Sequence, residues 1–178
     1  MSTLEVKELS HPAGQVIKIA SGKTLDLKSQ GTTTLPTGSV LQVVSVNQTS
    51  QVIISTIYTW TAVGLEATIT PSSTSSKILV TVCGSQYTDV NDQTAAATIF
   101  RGSTNLGHVN YGFMPTYYNV GGGSTYDVQM VCSATYLDSP STASAVTYSV
   151  KARTDKNTYR WNGLRSAVAT ITLTEIQG

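Results

Sequence analysis

Charged side chains are scarce in this sequence. They make up 12% of its 178 residues, and 11 Lys and Arg against 10 Asp and Glu leave a formal net charge of +1. The basic residues are scattered rather than clustered, so the chain lacks the positive surface that nucleic acids and anionic membranes require. We therefore expect no nucleic-acid partner.

Long apolar runs are absent as well. No run approaches the ~18–20 residues needed to cross a bilayer. The N-terminal stretch MSTLEVKELSHPAG carries charges where a secretory signal would have its apolar stretch. These absences predict no membrane insertion and synthesis in a cytoplasm.

Cysteine is rare, and its setting is apolar. Cys83 and Cys132 each lie within an alternating apolar run, which is typical of small thiols that pack as hydrophobic side chains. Intracellular thiols stay reduced, and two cysteines define no disulfide framework. We expect both to be free, buried thiols rather than partners in a disulfide.

The residues that carry enzymatic chemistry form no recognisable pattern. A catalytic site needs a nucleophile with a base, a pair of carboxylates or a set of metal ligands. His11 and His108 are far apart in the sequence. We interpret His11 as an exposed side chain and His108 as an exposed or hydrogen-bonding contact residue. Asp89 and Asp92 in DVND lack the ligand spacing of a calcium loop, so we interpret them as part of a solvated turn. We expect no enzymatic activity, no cofactor and no metal.

What the sequence does contain is apolar and polar residues in alternation. In VTYSVKAR, Val146, Tyr148, Val150 and Ala152 share one face of an extended chain, and polar residues occupy the other. This period of two predicts a half-buried antiparallel strand. Threonine suits the solvent face, because its β-branched side chain is stiff in an extended backbone and its hydroxyl is compatible with water. Ser and Thr thus replace charged residues on the outer faces of strands.

The alternation recurs about eight times after residue 38, with turn residues such as PSSTSS between the runs. This spacing predicts an all-β fold, an antiparallel eight-stranded β-sandwich or jelly roll. Tyr58 and Trp60 fall in the second run and are predicted to be core or interface residues. The predicted strands are centred on SVLQVVSV, VIISTIYTWTAV, LEATIT, SKILVTVCG, AATIFR, STYDVQMVCSATYL, AVTYSVKAR and AVATITLTEI.

Three segments are poorly patterned and rich in Tyr, Asn and Gly, and are predicted to be loops. They are SQYTDVNDQT, GSTNLGHVNYGFMPTYYNVGGGS and DKNTYRWNG. Recognition residues are commonly found in such loops. Tyr and Trp combine a large rigid contact area with one polar group, which suits contact with a sugar or a protein loop. The alternative interpretation is that the aromatic residues pack between the sheets or at a subunit interface. The candidate surface-contact residues are Tyr111, Phe113, Tyr117, Tyr118, Tyr159 and Trp161.

Residues 1–38 differ from residues 39–178. Their aliphatic residues fall in two short runs around a polar turn, which predicts a hairpin or successive short strands. Such a segment is too small for a core of its own, so it needs the following domain or copies of itself around a symmetry axis. The candidate stalk and trimerisation residues are Val16, Ile17, Ile19, Leu25 and Leu27.

Several segments resemble, in the same order along the chain, the small fibre proteins of tailed bacteriophages, particularly phages of marine bacteria. The resemblance covers most of the chain and leaves out mainly the three loop segments. The resembling segments are HPAGQVIKIASGKTLDLKSQG, LPTGSVLQVVSV, ITPSSTSSKILVTV, ATIFRGSTNLG, YLDSPSTASAVTYSVKAR and ATITLTEIQG.

The resemblance implies a short β-rich stalk at 1–38 and a C-terminal β-sandwich knob at 39–178, assembled as a homotrimer. It implies display on the virion as a tail fibre or as a capsid-associated head fibre, with capsid or tail proteins as partners. Two roles for such a knob stay open: it either binds a host-surface glycan or receptor or simply decorates the particle. The family supplies no catalytic motif. One departure leaves head and tail both open: long tail fibres carry a large N-terminal docking domain, and only about 38 residues precede the knob here.

Two other functions compete with this interpretation. A monomeric carbohydrate-binding module of the jelly-roll type has the same strand pattern, but the segment 1–38 has no role in an isolated module. A glycan-degrading depolymerase needs paired carboxylates. The ten acidic residues lie mostly in turns or in the leader, which argues against that activity.

Overall fold

The computed structural model describes residues 21–22, 35–119, 127–156, 158–162 and 167–178. Within them the regular secondary structure is entirely β, in eleven strands. No helical segment among the described residues is long and apolar enough to span a bilayer. The strands are β1 (Val40–Gln48), β2 (Val52–Ile54), β3 (Thr61–Ile69), β4 (Lys77–Thr88), β5 (Gln93–Arg101), β6 (Thr104–Asn105), β7 (Met114–Tyr118), β8 (Val128–Asp138), β9 (Val146–Thr154), β10 (Tyr159–Trp161) and β11 (Ala169–Ile176).

Six strands form sheet A around β4. On one edge, β4 pairs along its whole length with β8. On its other edge, the first part of β4 pairs with β11, and the last part pairs with β10. β1 continues the sheet beyond β11, and β2 continues it beyond β10, with every pairing antiparallel.

Five strands form sheet B around β5 and β9. β9 lies between β3 and β5. The free edge of β5 pairs with β7 over its first half and with β6 at its end, again in antiparallel fashion. The part of the chain that the structure describes is therefore all-β with antiparallel sheets, as the sequence predicts.

The strand boundaries correct the sequence prediction in several places. LEATIT was predicted as a separate strand but is the second half of β3, and β6 and β10 lie in segments that were predicted as loops. The run VIISTIYTWTAV was predicted as one strand, but β2 ends at Ile54 and β3 begins at Thr61. Tyr58 between them adopts a left-handed backbone with φ of 55°, which an extended strand does not accommodate. The strand β7 was predicted as loop, because the Pro and adjacent tyrosines of MPTYY show no alternation of apolar and polar residues.

The hydrophobic core lies between the inner faces of the two sheets. Sheet A contributes Ile78, Val80 and Val82 of β4, and sheet B contributes alternate residues of β3, β5 and β9. Each such aliphatic side chain stabilises the fold by about 1.5–3 kcal/mol relative to an exposed position. The alternation predicted for Val146–Thr154 is present, with Tyr148, Val150 and Ala152 fully buried.

Trp161 is the largest side chain of this core and packs against Gly84 of β4. A Cβ atom added at Gly84 would lie 2.6 Å from Cζ2 of the indole, and Cβ atoms essentially never come this close to an atom to which they are not bonded. The indole Nε1 donates a hydrogen bond of 3.1 Å to Oε1 of Gln48. The glycine therefore makes room for the tryptophan.

A buried carboxylate ties the PSSTSS turn to the last strand. Glu175 of β11 is fully buried, and its Oε1 accepts hydrogen bonds from the backbone N–H and the hydroxyl of Ser72 and from the hydroxyl of Ser76. Its Oε2 accepts one from Nε2 of Gln42 at 2.6 Å. Burial alone raises the pKa of Glu175, but these hydrogen bonds outweigh burial and hold the pKa below its ordinary value of 4.5.

The chain divides into two units between Leu35 and Pro36, close to the boundary predicted at residue 38. The predicted stalk residues lie outside the described residues, so their role stays a prediction. They are Val16, Ile17, Ile19, Leu25 and Leu27.

Gly84→Ala is expected to lower the free energy of unfolding by about 1–3 kcal/mol, because the new methyl group overlaps the Trp161 indole. Urea unfolding followed by tryptophan fluorescence measures the loss. In a Trp161→Phe background the same substitution should cost less, since the smaller ring leaves space at this position. An equal cost in both backgrounds would show that the Gly84–Trp161 contact is not the cause.

Glu175→Gln is expected to lower stability at pH 7 by about 1–3 kcal/mol, since one of the hydrogen-bond donors then faces an amide N–H group. The folded-state pKa of Glu175 lies below the unfolded value, so the carboxylate stabilises the fold above about pH 4.5. That contribution is lost as the pH falls through the lowered folded-state pKa. Thermal unfolding from pH 7 to pH 3 should therefore show the two proteins converging in acid. The exposed Glu66→Gln is the control and should differ little from the parent at any pH.

Candidate functional site

A concave site of about 260 Å³ opens on the side of sheet B that faces away from the core. It is built by the β2–β3 connection, the start of β5, the β6–β7 loop and the end of β9. We call it the tyrosine cleft, after its two exposed aromatic walls. Its lining residues are Tyr58, Thr94, Ala96, Asn110, Tyr111, Arg153, Thr154 and Asp155.

Tyr58 is held in the cleft by its backbone. Its N–H donates a hydrogen bond of 2.7 Å to the carbonyl of Thr154, and the preceding Ile57 forms a bridge with the same residue. Its left-handed conformation is unfavourable for a bulky side chain and persists only where the surrounding structure enforces it. The side chain itself is 62% exposed, and the Arg153 guanidinium lies 5.5 Å from the centre of its ring. The strained backbone thus presents an aromatic ring to solvent.

The β6–β7 loop lies tightly against β5. The N–H of Leu106 donates to the carbonyl of Ile99, and that of Phe113 donates to the carbonyl of Ala97. Gly112 has a φ of 59°, and a Cβ atom there would lie 2.5 Å from the carbonyl oxygen of Ala97. Only glycine meets both requirements, so the loop can approach the sheet this closely.

The tip of this loop supplies the second aromatic wall. Tyr111 is 53% exposed and stacks on His108, with ring centres 5.2 Å apart and an interplanar angle of 19°. Nδ1 of His108 accepts hydrogen bonds of 3.2 Å from the backbone N–H groups of Asn110 and Tyr111. Nη1 of Arg153 donates to the carbonyl oxygen and to Oδ1 of Asn110, at 3.1 and 2.9 Å. The loop tip is therefore tied to β9.

The polar groups of the cleft are fixed in the same way. Oδ1 of Asp155 accepts a hydrogen bond of 2.8 Å from the N–H of Thr94, and the N–H of Asp155 donates to the carbonyl of Thr94 at 3.1 Å. Arg153 and Asp155 carry opposite charges, so the cleft combines donors and acceptors without a net charge from this pair. Such an arrangement suits a neutral ligand with several hydroxyl groups.

A third exposed tyrosine lies beside the cleft on the same sheet face. Tyr117 of β7 is paired in register with Thr94 and is 63% exposed. Its hydroxyl donates a hydrogen bond of 2.7 Å to Asp92, which also forms an ion pair with Lys156. The hydrogen bond from Lys156, followed by that from Tyr117, holds the pKa of Asp92 below its ordinary value.

The carboxylates of the DVND turn face cations of the chain itself. Asp92 pairs with Lys156, and Oδ2 of Asp89 lies 3.5 Å from Nη1 of Arg160. In the part of the chain that the structure describes, no group of three or more His, Cys, Asp or Glu side chains is arranged to hold a metal ion.

The structure separates the six aromatic residues predicted for surface contact. Tyr111 and Tyr117 are exposed on the outer side of sheet B. Phe113 is half-buried and packs against the core rather than toward solvent, with its ring centre 5.3 Å from that of Tyr136. The surface interpretation is wrong for the other three, because their side chains point between the sheets. Tyr118 is 7% exposed, and Tyr159 and Trp161 are fully buried.

Tyr58 is the aromatic site residue that the sequence analysis missed, and the polar lining residues Asn110, Arg153 and Asp155 were not among its candidates either. Tyr58 was predicted to be a core or interface residue because it lies within an apparently continuous strand. The break at Ile54 turns it outward instead. Trp60 is half-buried, with its indole 6.4 Å from Phe100 and its Nε1 donating to the carbonyl of Val109. A local signal for the break is weak, since the segment contains neither Gly nor Pro.

A second surface lies on the opposite side of the molecule, on the outer side of sheet A. Its uncharged side chains are aligned in rows across four strands, and we call it the threonine face. The hydroxyls of Ser45 and Thr172 lie 2.9 Å apart, and Thr170 donates to Asn47 at 3.1 Å. The register places on this face Val43, Ser45 and Asn47 of β1, Thr170, Thr172 and Thr174 of β11, Leu79, Thr81 and Cys83 of β4, and Val131, Ser133, Thr135 and Leu137 of β8.

The threonine face exposes aliphatic side chains at both of its borders. Val131 is 81% exposed and Leu137 47% exposed on β8, and Val43 is 58% exposed on β1. Among the described residues β8 pairs with β4 alone, so one edge of this eleven-residue strand carries unpaired backbone groups. Edge strands of monomeric proteins are commonly protected by Lys or Pro, and β8 contains neither.

Both cysteines have free thiols, but only one is even partly buried. Cys83 is exposed on the threonine face, so the prediction of a buried thiol is wrong for it. Its side chain points outward because the neighbouring Val82 and Gly84 face the core. Burial raises the pKa of the half-buried Cys132 to about 11.

Comparison with models of known protein families and with curated protein sequences gave no match for this chain.

Proposed function

We propose that this protein is a structural protein of a bacteriophage virion, a trimeric fibre on the tail or the capsid. Its 39–178 domain would be the outer knob, and its leader would bind capsid or tail proteins. The proposal draws on the ordered resemblance to phage fibre proteins and on one structural observation, the threonine face. It assigns the protein no enzymatic activity.

The threonine face supports self-association, because its side chains are uncharged on all four strands, and the exposed Lys77 on the same side of β4 lies at the very start of the strand. Three copies can therefore bring these faces together around a three-fold axis without like-charge repulsion between them or the cost of burying an ion there. Its hydroxyls and amides already bond across the strands at Ser45–Thr172 and Thr170–Asn47, so fewer of them lose a partner when water leaves. Contact would also cover Val131 and Leu137 and the unpaired edge of β8.

The sheet order supports a finer proposal, that the knob is a jelly roll. Eight of the strands have five or more residues, and they fall into two groups of four. In sheet A the order is β1-β11-β4 with β8 on the far edge of β4, and in sheet B it is β3-β9-β5 with β7 on the far edge of β5. Two interlocked Greek keys produce this arrangement.

The leader would complete the trimer. The aliphatic residues at Val16, Ile17, Ile19, Leu25 and Leu27 are expected to pack around the symmetry axis. The outer surfaces of sheets A and B lie on opposite sides of the domain. Association through the outer surface of sheet A would therefore leave the tyrosine cleft on sheet B exposed to solvent. Three outward clefts would bind a repetitive host surface with higher avidity than one.

A monomeric carbohydrate-binding module is the second candidate, and the tyrosine cleft is the observation that favours it. Such a module needs a concave site with aromatic walls and a few fixed polar groups. The two candidates differ in whether the threonine face is covered in solution.

Light scattering of the full-length protein is expected to give three times the chain mass of 18.8 kDa. Val131→Glu should weaken the assembly, because it places a charge at the exposed border of the threonine face. Val109→Glu is the matched control, since Val109 is also exposed, at 69%, but lies in the β6–β7 loop near sheet B. The measurement is the mass of each variant over a dilution series.

A monomeric parent protein would contradict the fibre proposal and favour the isolated module. A trimer that dissociates at the same concentration in the parent and in both variants would show that the leader holds the assembly without the threonine face.

A further inference from the structure

We infer that the tyrosine cleft binds a single hexopyranose unit of a neutral polysaccharide. The apolar faces of the sugar would lie against the rings of Tyr58 and Tyr111. Its hydroxyl groups would bond to Asn110, Arg153 and Asp155. The inference rests on the proposed function only for the source of the ligand, a glycan of the host surface.

The two aromatic walls of the cleft expose ring faces that a sugar can cover. Tyr58 and Tyr111 are 62% and 53% exposed, although tyrosines in a folded core bury nearly all of their rings. A pyranose ring presents C–H groups on its faces and hydroxyls around its rim, so it matches an aromatic face bordered by polar groups. Water solvates such a ring face poorly, and the sugar would replace that water.

The groups that line the cleft are held in place before any ligand binds. The backbone N–H of Tyr58 is hydrogen-bonded to Thr154, and Tyr111 is stacked on His108. Arg153 donates a hydrogen bond to Asn110, and Asp155 accepts one from Thr94. These groups would lose little conformational freedom on binding, which lowers the entropic cost that weakens most sugar complexes. The left-handed backbone at Tyr58 is consistent with this role, because strain of this kind clusters at ligand sites.

The charges and the size of the cleft narrow the ligand class. Arg153 alone would favour an anion such as a phosphate or an acidic sugar, but the Asp155 carboxylate beside it repels one. The cavity of about 260 Å³ is smaller than the ~300–1,000 Å³ of pockets for drug-sized ligands. That space suits one sugar ring better than a peptide segment. Tyr117, paired with Thr94 at the border of the cleft, offers an aromatic surface for the next unit of the chain.

Saturation-transfer NMR on the full-length protein tests the inference, with the methyl glycosides of glucose, galactose, mannose and N-acetylglucosamine as probes. At least one is expected to receive saturation at its ring C–H protons, with a dissociation constant in the millimolar range. Tyr58→Ala and Tyr111→Ala should each weaken binding roughly tenfold. Tyr58→Phe should retain binding, because it keeps the ring.

Val131→Ser on the opposite sheet is the control and should leave binding unchanged. Thermal unfolding of every variant checks that the fold is intact, which is expected because these side chains are exposed. No saturation of any of the four probes by the parent protein would overturn the inference. Binding that survives both Tyr58→Ala and Tyr111→Ala would overturn it as well.

Measuring the mass of the same samples separates the sugar-binding inference from the fibre proposal, because either one can then fail without the other. A monomer that binds sugar at the cleft would support this inference and contradict the fibre. A trimer that binds none of the probes would do the reverse.

Discussion

Burial of every second side chain between two antiparallel sheets is the constraint on which the rest of this structure depends. Strand β4 shows it most clearly, since it pairs on both edges and directs Ile78, Val80 and Val82 into the core. The alternate side chains then have to face outward, whatever their chemistry. Each sheet thus presents one outer surface, and the two surfaces lie on opposite sides of the molecule.

The two outer surfaces differ in chemistry, and this difference carries the functional proposals. Sheet A bears threonine, serine and exposed aliphatic side chains with no charge among the residues of the threonine face. Sheet B bears exposed tyrosines together with Arg153, which is fixed by Asn110 of the β6–β7 loop, and Asp155, which is fixed by Thr94 of β5. The first surface is suited to contact with other copies of the chain, and the second to a small polar ligand. Under the proposed function, the abundance of Ser and Thr would be a property of a surface that other copies of the chain cover.

Sequence reasoning succeeded where structure is dictated by local periodicity. The alternation in Val146–Thr154 identifies a strand and also which residues face outward, including Arg153. It failed where short or broken elements depend on distant partners. Tyr159 and Trp161 lie in a three-residue strand amid polar residues, and only pairing with β2 and β4 makes them core residues.

The candidate site was only partly predictable for the same reason. Tyr111 was identified because its loop is rich in aromatic residues. The bonds that shape the cleft join Asn110 to Arg153 and Thr94 to Asp155, pairs that lie far apart in the sequence. Glu175 is a comparable case, since its alternating strand gives no sign that Ser72 and Ser76 would bond to its carboxylate. Such contacts follow from the strand order, which local patterns do not specify.

If copies of the chain cover the threonine face, as proposed, Cys83 reports on that contact directly. Cys83 lies on that face between Thr170 and Ser133 and is exposed in the single chain, whereas the pKa of the Cys132 thiol is raised to about 11. Thiol titration with Ellman's reagent at pH 8 therefore measures whether the face is open, because the thiolate is the reacting form. Neither thiol of the native full-length protein is expected to react rapidly, and both are expected to react after unfolding in guanidinium. If one thiol per chain reacts at the rate of a free cysteine, the threonine face is open to solvent and other copies of the chain do not cover it.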